Sequence, residues 1–144
     1  MLGIATLSAC QTESAAKSEV GLALVPVTIT SASGRHRFNA EVAVSREEQA
    51  RGLMFRTSLA RDAAMIFPMD PPRRASFWMK NTPIPLDIIF IRAAGTIESI
   101  AADTIPYSLD QVPSGEPVAA VLEIAGGRAA ELGISEGDSV SWPR

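Results

Sequence analysis

Five polar side chains in this sequence stand where chemistry would need them. Lys80 and Asn81 lie in Trp78-Met79-Lys80-Asn81-Thr82, Asp87 is second in the apolar run Leu86–Ile91, Glu123 is near the end of the apolar run Val118–Ile124, and Arg56 closes Leu53-Met54-Phe55-Arg56. A carboxylate set in an apolar strand is costly without a donor. Asp87 and Glu123 therefore call for partners, and Lys80 or Arg56 are the expected ones. The set predicts a polar pocket with cationic Lys80 and Arg56, amide Asn81, carboxylates Asp87 and Glu123, and an aromatic wall at Trp78. Such a pocket suits a small polar or anionic ligand. If their strands are neighbours, Asp87 and Glu123 would also make a general acid and base for a hydrolase or lyase.

Each residue also has a plainer role. Ion pairs and side-chain-to-backbone bonds that fix loops would account for Asp87. Arg56 taken alone would satisfy carbonyls at the end of a helix. Trp78, inside an expected strand, reads first as core rather than as a stacking platform. Lys80 and Asn81 are the pair for which a functional role is preferred, because polar residues on rigidly held loops concentrate in sites.

Other chemistries find little footing. There is no Gly-x-Ser-x-Gly elbow, Ser76 and Lys80 are one residue too far apart for Ser-x-x-Lys, and the single His, His36, falls in register with Phe38 and Val42 on the inward face of a strand. Met54, Met65, Met69 and Met79 with His36 would be soft ligands for copper(I). They lack ligand spacing and are read as fillers of an irregular core. No phosphate loop, calcium loop or zinc motif is present, so neither metal nor cofactor is expected.

The elements that must position these residues follow from period and punctuation. Val25, Val27 and Ile29 alternate with polar residues, Ser31-Ala32-Ser33-Gly34 turns, and the period of two resumes from Arg35 to Val44, which predicts a hairpin. Ser45 with Glu48 three residues on is a capping box for a short helix with Ala50, Leu53 and Met54 on its core face and Gly52 at its end. Met65–Phe67 is expected as a short strand ended by Pro68, and Pro71–Arg74 as an exposed connection. Ala75–Met79 is expected as a strand, Leu86–Ile91 as a central strand covered on both faces, and Thr96–Ala102 as its bulged partner. A long loop from Thr104 to Glu116, a strand from Val118, a short helix at 128–132 and a last strand from Ser139 complete the chain. Strand follows strand through tight turns. The fold class is therefore α+β, mainly β: an antiparallel barrel-like or sandwich sheet of seven to eight strands with two short helices.

The sequence has 144 residues, 47% apolar and 20% charged, with net charge −3. That fits one domain and no nucleic-acid partner. One cysteine, Cys10, excludes an internal disulfide. Leu7-Ser8-Ala9-Cys10 resembles the lipobox of bacterial lipoproteins, which implies lipidation at Cys10. Residues 1–10 are then the remnant of a signal peptide, 11–23 a flexible tether and 24–144 the domain. The expected location is exported: periplasmic, or anchored to the membrane through that lipid.

Gly52-Leu53-Met54-Phe55-Arg56, Met65-Ile66-Phe67, Trp78-Met79-Lys80-Asn81-Thr82, Ile84-Pro85-Leu86-Asp87, Val121-Leu122-Glu123 and Gly137-Asp138 stand in the order and spacing of a known family. The chain resembles the "domain of unknown function 192" family over roughly residues 24–142. It departs from the family at Ala64, where Gly is frequent, and at Met69, where an aromatic is common. The resemblance implies a small, mostly β, exported or envelope-associated domain with no established activity. Three functions are therefore carried forward: a binding module for a small polar or anionic ligand, a hydrolase or lyase using Asp87 and Glu123, and a structural or partner-binding envelope domain.

Overall fold

The structure is a computed structural model that describes residues 16–144. Cys10 and the first part of the expected tether lie outside the described residues. From Ala16 the chain already folds against the sheet: Lys17 bridges Ala23, and the Leu24 N–H donates to the Ala16 carbonyl.

Nine strands and two short helices follow. They are β1 (Leu24–Ser31), β2 (Gly34–Val42), α1 (Arg46–Arg51), β3 (Ala63–Arg73), β4 (Ser76–Phe77), β5 (Leu86–Ile91), β6 (Ile97–Ala101), β7 (Val112–Pro113), β8 (Val118–Ala125), α2 (Arg128–Leu132) and β9 (Ser139–Ser141). Seven of the strands form one curled half-barrel sheet in the order β6-β5-β8-β3-β2-β1-β9. Its pairs are antiparallel except β2 with β3, which α1 connects as a crossover. Its two edges meet at one corner, where Thr96 bridges Ser139 and the Val140 N–H donates to the Gly95 carbonyl. β4 and β7 pair separately as a small second sheet.

Both faces of the large sheet are buried, which explains its unbroken apolar runs. The inside of the curl holds Val27, Ile29, Phe38, Ile66, Ile89, Leu122, Ile124 and Val140. The outer face holds Met65, Phe67, Met79, Ile88, Phe90 and Val121 and is roofed by the segments around α1, β4 and β7. All six residues of β5 are buried, as its sequence demands, yet the strand lies second from an edge rather than at the centre. Covering both faces, not position in the sheet, selects that composition.

Three segments differ from their sequence readings. Pro68 does not end β3; the strand runs on to Arg73, with a register shift between Pro68 and Arg73. The carbonyl of Pro68 is instead taken by the Gln49 side chain, which ties α1 to β3. The strand expected over 75–79 shrinks to Ser76–Phe77 because Phe77, not Trp78, enters the core. Phe77 meets Phe67 edge-on at 5.0 Å and Phe90 at 6.2 Å. α1 has the capping box its sequence predicts, but buries none of its residues; only Leu53 beyond its end reaches the core. Gly52 ends it at φ +46°, where a side chain would be strained and would press on the Phe67 ring.

Candidate functional site

Between α1 and residues 73–82, on the outer face of the sheet, lies a cavity of about 330 Å³. That is at the small end of the about 300–1,000 Å³ typical of ligand pockets. α1 and its C-terminal turn present Gln49, Arg51, Gly52 and Met54 as one wall. The end of β3 and the following chain present Arg73, Arg74, Trp78 and Lys80 as the other, and Phe67 and Glu123 also line the space.

The turn that carries Lys80 is held from behind. Met79 is buried, and the Thr82 N–H closes the turn onto the Met79 carbonyl at 3.2 Å. The Met79 N–H donates to the Ser108 carbonyl, and the Tyr107 N–H donates to the Thr82 carbonyl. The long 104–116 loop is thus a brace for the turn. Asn81 has φ +53°, a left-handed conformation that Asn tolerates better than most residues. Its carbonyl accepts the Phe55 N–H at 2.7 Å, while its amide reaches only Met54 Sδ at 3.9 Å. The residue type at 81 is explained by its backbone.

Trp78 is 42% exposed, so it is not the core residue its strand setting suggested. Lys80 Nζ lies 5.1 Å from its ring centroid, a cation–π distance. Arg73 reaches Met69 Sδ at 2.7 Å and Gln49 Oε1 at 3.5 Å, and Arg51 lies 5.9 Å over Phe55. Among the described residues, none of Arg51, Arg73, Arg74 and Lys80 forms an ion pair. The sequence reading missed the three arginines. Arg73-Arg74 looked like part of an exposed connection, and only the folding of 68–75 across α1 turns it into a wall.

Glu123 is 4% exposed, and no group among the described residues hydrogen-bonds its carboxylate. Its oxygens open onto the cavity, since no described side-chain polar atom is both sealed from solvent and unpaired. Burial alone pushes its carboxyl up to about 8. The four basic side chains that line the same cavity are all exposed, so they stand at its mouth while Glu123 is buried within it. The cavity has exposed cations at its rim and one buried acid within.

Asp87 is elsewhere. It pairs with Ile124 across β5 and β8, whereas Glu123 pairs with Ile88. Adjacent residues of a strand point to opposite faces. Asp87 therefore faces the inside of the curl and Glu123 the outer face. The two carboxylates do not form an acid–base pair. Asp87 is fully buried and accepts three backbone N–H groups: Asp103 at 2.8 Å and Gly127 at 2.9 Å on Oδ1, and Ala129 at 2.8 Å on Oδ2. Its donors are backbone amides, not Lys80 or Arg56, and they clamp α2 and the 102–104 turn to the sheet.

Arg56 is also outside the cavity. It makes a bidentate pair with Glu41, Nη1 to Oε2 at 3.0 Å and Nη2 to Oε1 at 3.1 Å. Burial pushes the Glu41 carboxyl up, but hydrogen bonds from Arg56 and Ser18 outweigh it and hold it below the ordinary value. Of the residues selected from sequence, the cavity unites Trp78, Lys80 and Glu123; Arg56, Asn81 and Asp87 serve the scaffold. No group of three or more His, Cys, Asp or Glu that could hold a metal occurs among the described residues.

A curled half-barrel sheet with a small second sheet and a pocket on its outer face defines a small, mostly β domain, and its sequence gives it a family. The chain belongs to the DUF192 family, described as uncharacterized ACR, whose model matches residues 27–142. It is similar to a crystal structure of a protein of unknown function from Novosphingobium aromaticivorans DSM 12444. That match has 50% identity and a TM-score of 0.87, and covers 96% of this chain and 99% of that one. It is also similar to a protein from Sinorhizobium meliloti 1021 described as a candidate transcription regulator. There the identity is 40% and the TM-score 0.82, over 87% of this chain and 98% of that one. No curated protein matches the chain.

Proposed function

We propose that this domain binds a small anionic ligand in the cavity between α1 and residues 73–82. One observation carries the reading: four cationic side chains, Arg51, Arg73, Arg74 and Lys80, line a single cavity without an ion-pair partner among the described residues, in a chain of net charge −3. Among the described residues, Arg56, Arg61, Arg92 and Arg128 pair with carboxylates, while Arg35, Arg37 and Arg46 are exposed and unpaired elsewhere on the surface; what sets Arg51, Arg73, Arg74 and Lys80 apart is that they line one cavity. Guanidinium groups are suited to phosphate and carboxylate. The cations converge on a pocket rather than forming a stripe, which favours a small anion over a nucleic-acid backbone. The hydrolase or lyase reading has lost the pair it needed, and a purely structural role gives no reason for four cations to line one cavity.

The test is calorimetric titration with inorganic phosphate and with phosphate monoesters. Removing one charged hydrogen bond of about 1.5–3 kcal/mol should weaken binding about 10- to 100-fold. Lys80→Ala and Arg73→Ala should each show that loss with little change in melting temperature. Unchanged affinity in both variants would end the proposal. As part of the same reading, the lipobox at Cys10 would hold this binding domain at a membrane surface; Cys10→Ser should then abolish incorporation of labelled palmitate, and retained label would remove the anchor.

A further inference from the structure

The rim explains half of the cavity. It does not explain why an acid, rather than an amide or a hydroxyl, stands inside it. Glu123 is flanked across the sheet by Met65 and Ile88, both apolar, and shares the cavity with Phe67, Leu53 and Met54. None of these offers a hydrogen bond to a carboxylate. A ligand that needed only a neutral partner would be served by Gln at this position, with no ionisable group to bury. A carboxyl adds one capacity that an amide lacks, which is to become negative.

Resting on the anion-binding reading above, we infer that the ligand is dipolar: an anionic group held at the mouth by Arg51, Arg73, Arg74 and Lys80, and a primary ammonium group held by Glu123. The ligand class is that of amino-bearing anions, such as amino-sugar phosphates or phosphorylated amino alcohols. The arrangement supplies its own discrimination. In the empty cavity Glu123 is neutral at pH 7, because burial raises it to about 8. An arriving ammonium group converts it to carboxylate, and the carboxyl proton passes to solvent. No covalent bond forms or breaks. Ionising the group at pH 7 against that shift costs about tenfold in affinity, and the ammonium–carboxylate contact has to outweigh that together with the desolvation of both charges. A ligand without a positive group gains nothing from the acid.

The experiment compares matched probes on the intact protein by titration calorimetry: glucosamine 6-phosphate against glucose 6-phosphate, and phosphoethanolamine against ethyl phosphate. At pH 7 the amino member of at least one pair should bind at least about tenfold more tightly, a difference of about 1.4 kcal/mol. Its binding should release about 0.9 proton, read from buffers of different ionisation enthalpy, as a carboxyl at about 8 requires. In Glu123→Gln the preference and the proton release should vanish while phosphate binding persists. A second readout needs no variant. In the wild type, the preference for phosphoethanolamine, whose amine stays protonated throughout, over ethyl phosphate should grow steeply from pH 6 towards 8, by up to about tenfold per pH unit, and then level off. Equal binding within both pairs, or a preference that survives Glu123→Gln or ignores pH, overturns the dipolar ligand and leaves the anion site standing. If no probe of either kind binds, or Lys80→Ala and Arg73→Ala change nothing, both readings fall together.

Discussion

Replacing Glu123 with Gln should make the protein more stable at neutral and alkaline pH, and the gain can be worked from the structure. Below its ordinary value of 4.5 the carboxyl is protonated in folded and unfolded chains alike, and burial then costs the fold no ionisation penalty. Between 4.5 and about 8 the unfolded chain gives up this proton while the folded chain keeps it, so stability falls as pH rises. Above 8 the loss is complete. At 1.36 kcal/mol per pH unit the full span amounts to about 5 kcal/mol, of which about 3 is already lost at pH 7. Water entering through the cavity mouth relieves part of this, so these values are ceilings. They remain large against the 5–15 kcal/mol typical of a folded domain. The Glu123→Gln protein carries no such penalty, and the difference between the two proteins isolates Glu123 from every other titrating group. Urea denaturation of both at intervals from pH 4 to 9 is the assay. The wild type should lose ground on Glu123→Gln steadily above pH 4.5 and hold a constant gap above about 8. Parallel curves across that range would show that Glu123 is solvated or paired in solution, and the account of the cavity as an acid-floored, low-dielectric pocket would fail with them.

Two further outcomes test the scaffold residues. Asp87→Ala leaves the N–H groups of Asp103, Gly127 and Ala129 without their acceptor and should cost about 3–5 kcal/mol in a urea titration, with Asp87→Asn losing less because one oxygen remains. A loss below about 1 kcal/mol would mean that the three bonds are not structural. A double-mutant cycle on Arg56→Ala and Glu41→Gln should give a coupling of about 1–3 kcal/mol in stability and no change in phosphate affinity at the cavity. A drop in affinity would return Arg56 to the binding site.

Much of the scaffold could be read from local pattern. The hairpin of β1 and β2, the Ser45–Glu48 capping box, the two-sided burial of Leu86–Ile91, the bulge in its partner strand and the helix at 128–132 all follow from short-range rules of period, cap and turn. What escaped was set by distant contacts. Pro68 looked like a strand end because its missing N–H argues so locally, but β8 and Gln49 carry β3 past it. Trp78 looked buried because it fell inside an expected strand, but Phe77 takes the place against Phe67 and Phe90. The partners of Asp87 are backbone amides from 16 to 42 residues away, and no side-chain inventory contains them. Arg73 and Arg74 needed the same kind of information, namely which element folds across them. The signal that could have found them was charge: they are two adjacent arginines directly after two prolines.

Two buried glutamates in one row of the sheet make the strongest case that the cavity is built for use. Glu41 pairs with Met65 across β2 and β3, and Met65 with Glu123 across β3 and β8, so the three share a face and the two acids stand about 10 Å apart by strand spacing. The surroundings are alike in burial and opposite in treatment. At Glu41 the fold supplies a bidentate arginine and a serine, and the carboxyl is held below its ordinary value despite being buried. At Glu123, two strands over, it supplies nothing, and four basic side chains that would serve as partners stand instead around the mouth. The same sheet therefore solves the problem of a buried carboxylate in one column and leaves it open in the next. A stability argument alone would place an apolar residue at 123, continuing Met65 and Ile88. The acid is explained if its partner arrives from solvent, and on the proposed reading the cations at the rim set the charge expected at the other end of that partner.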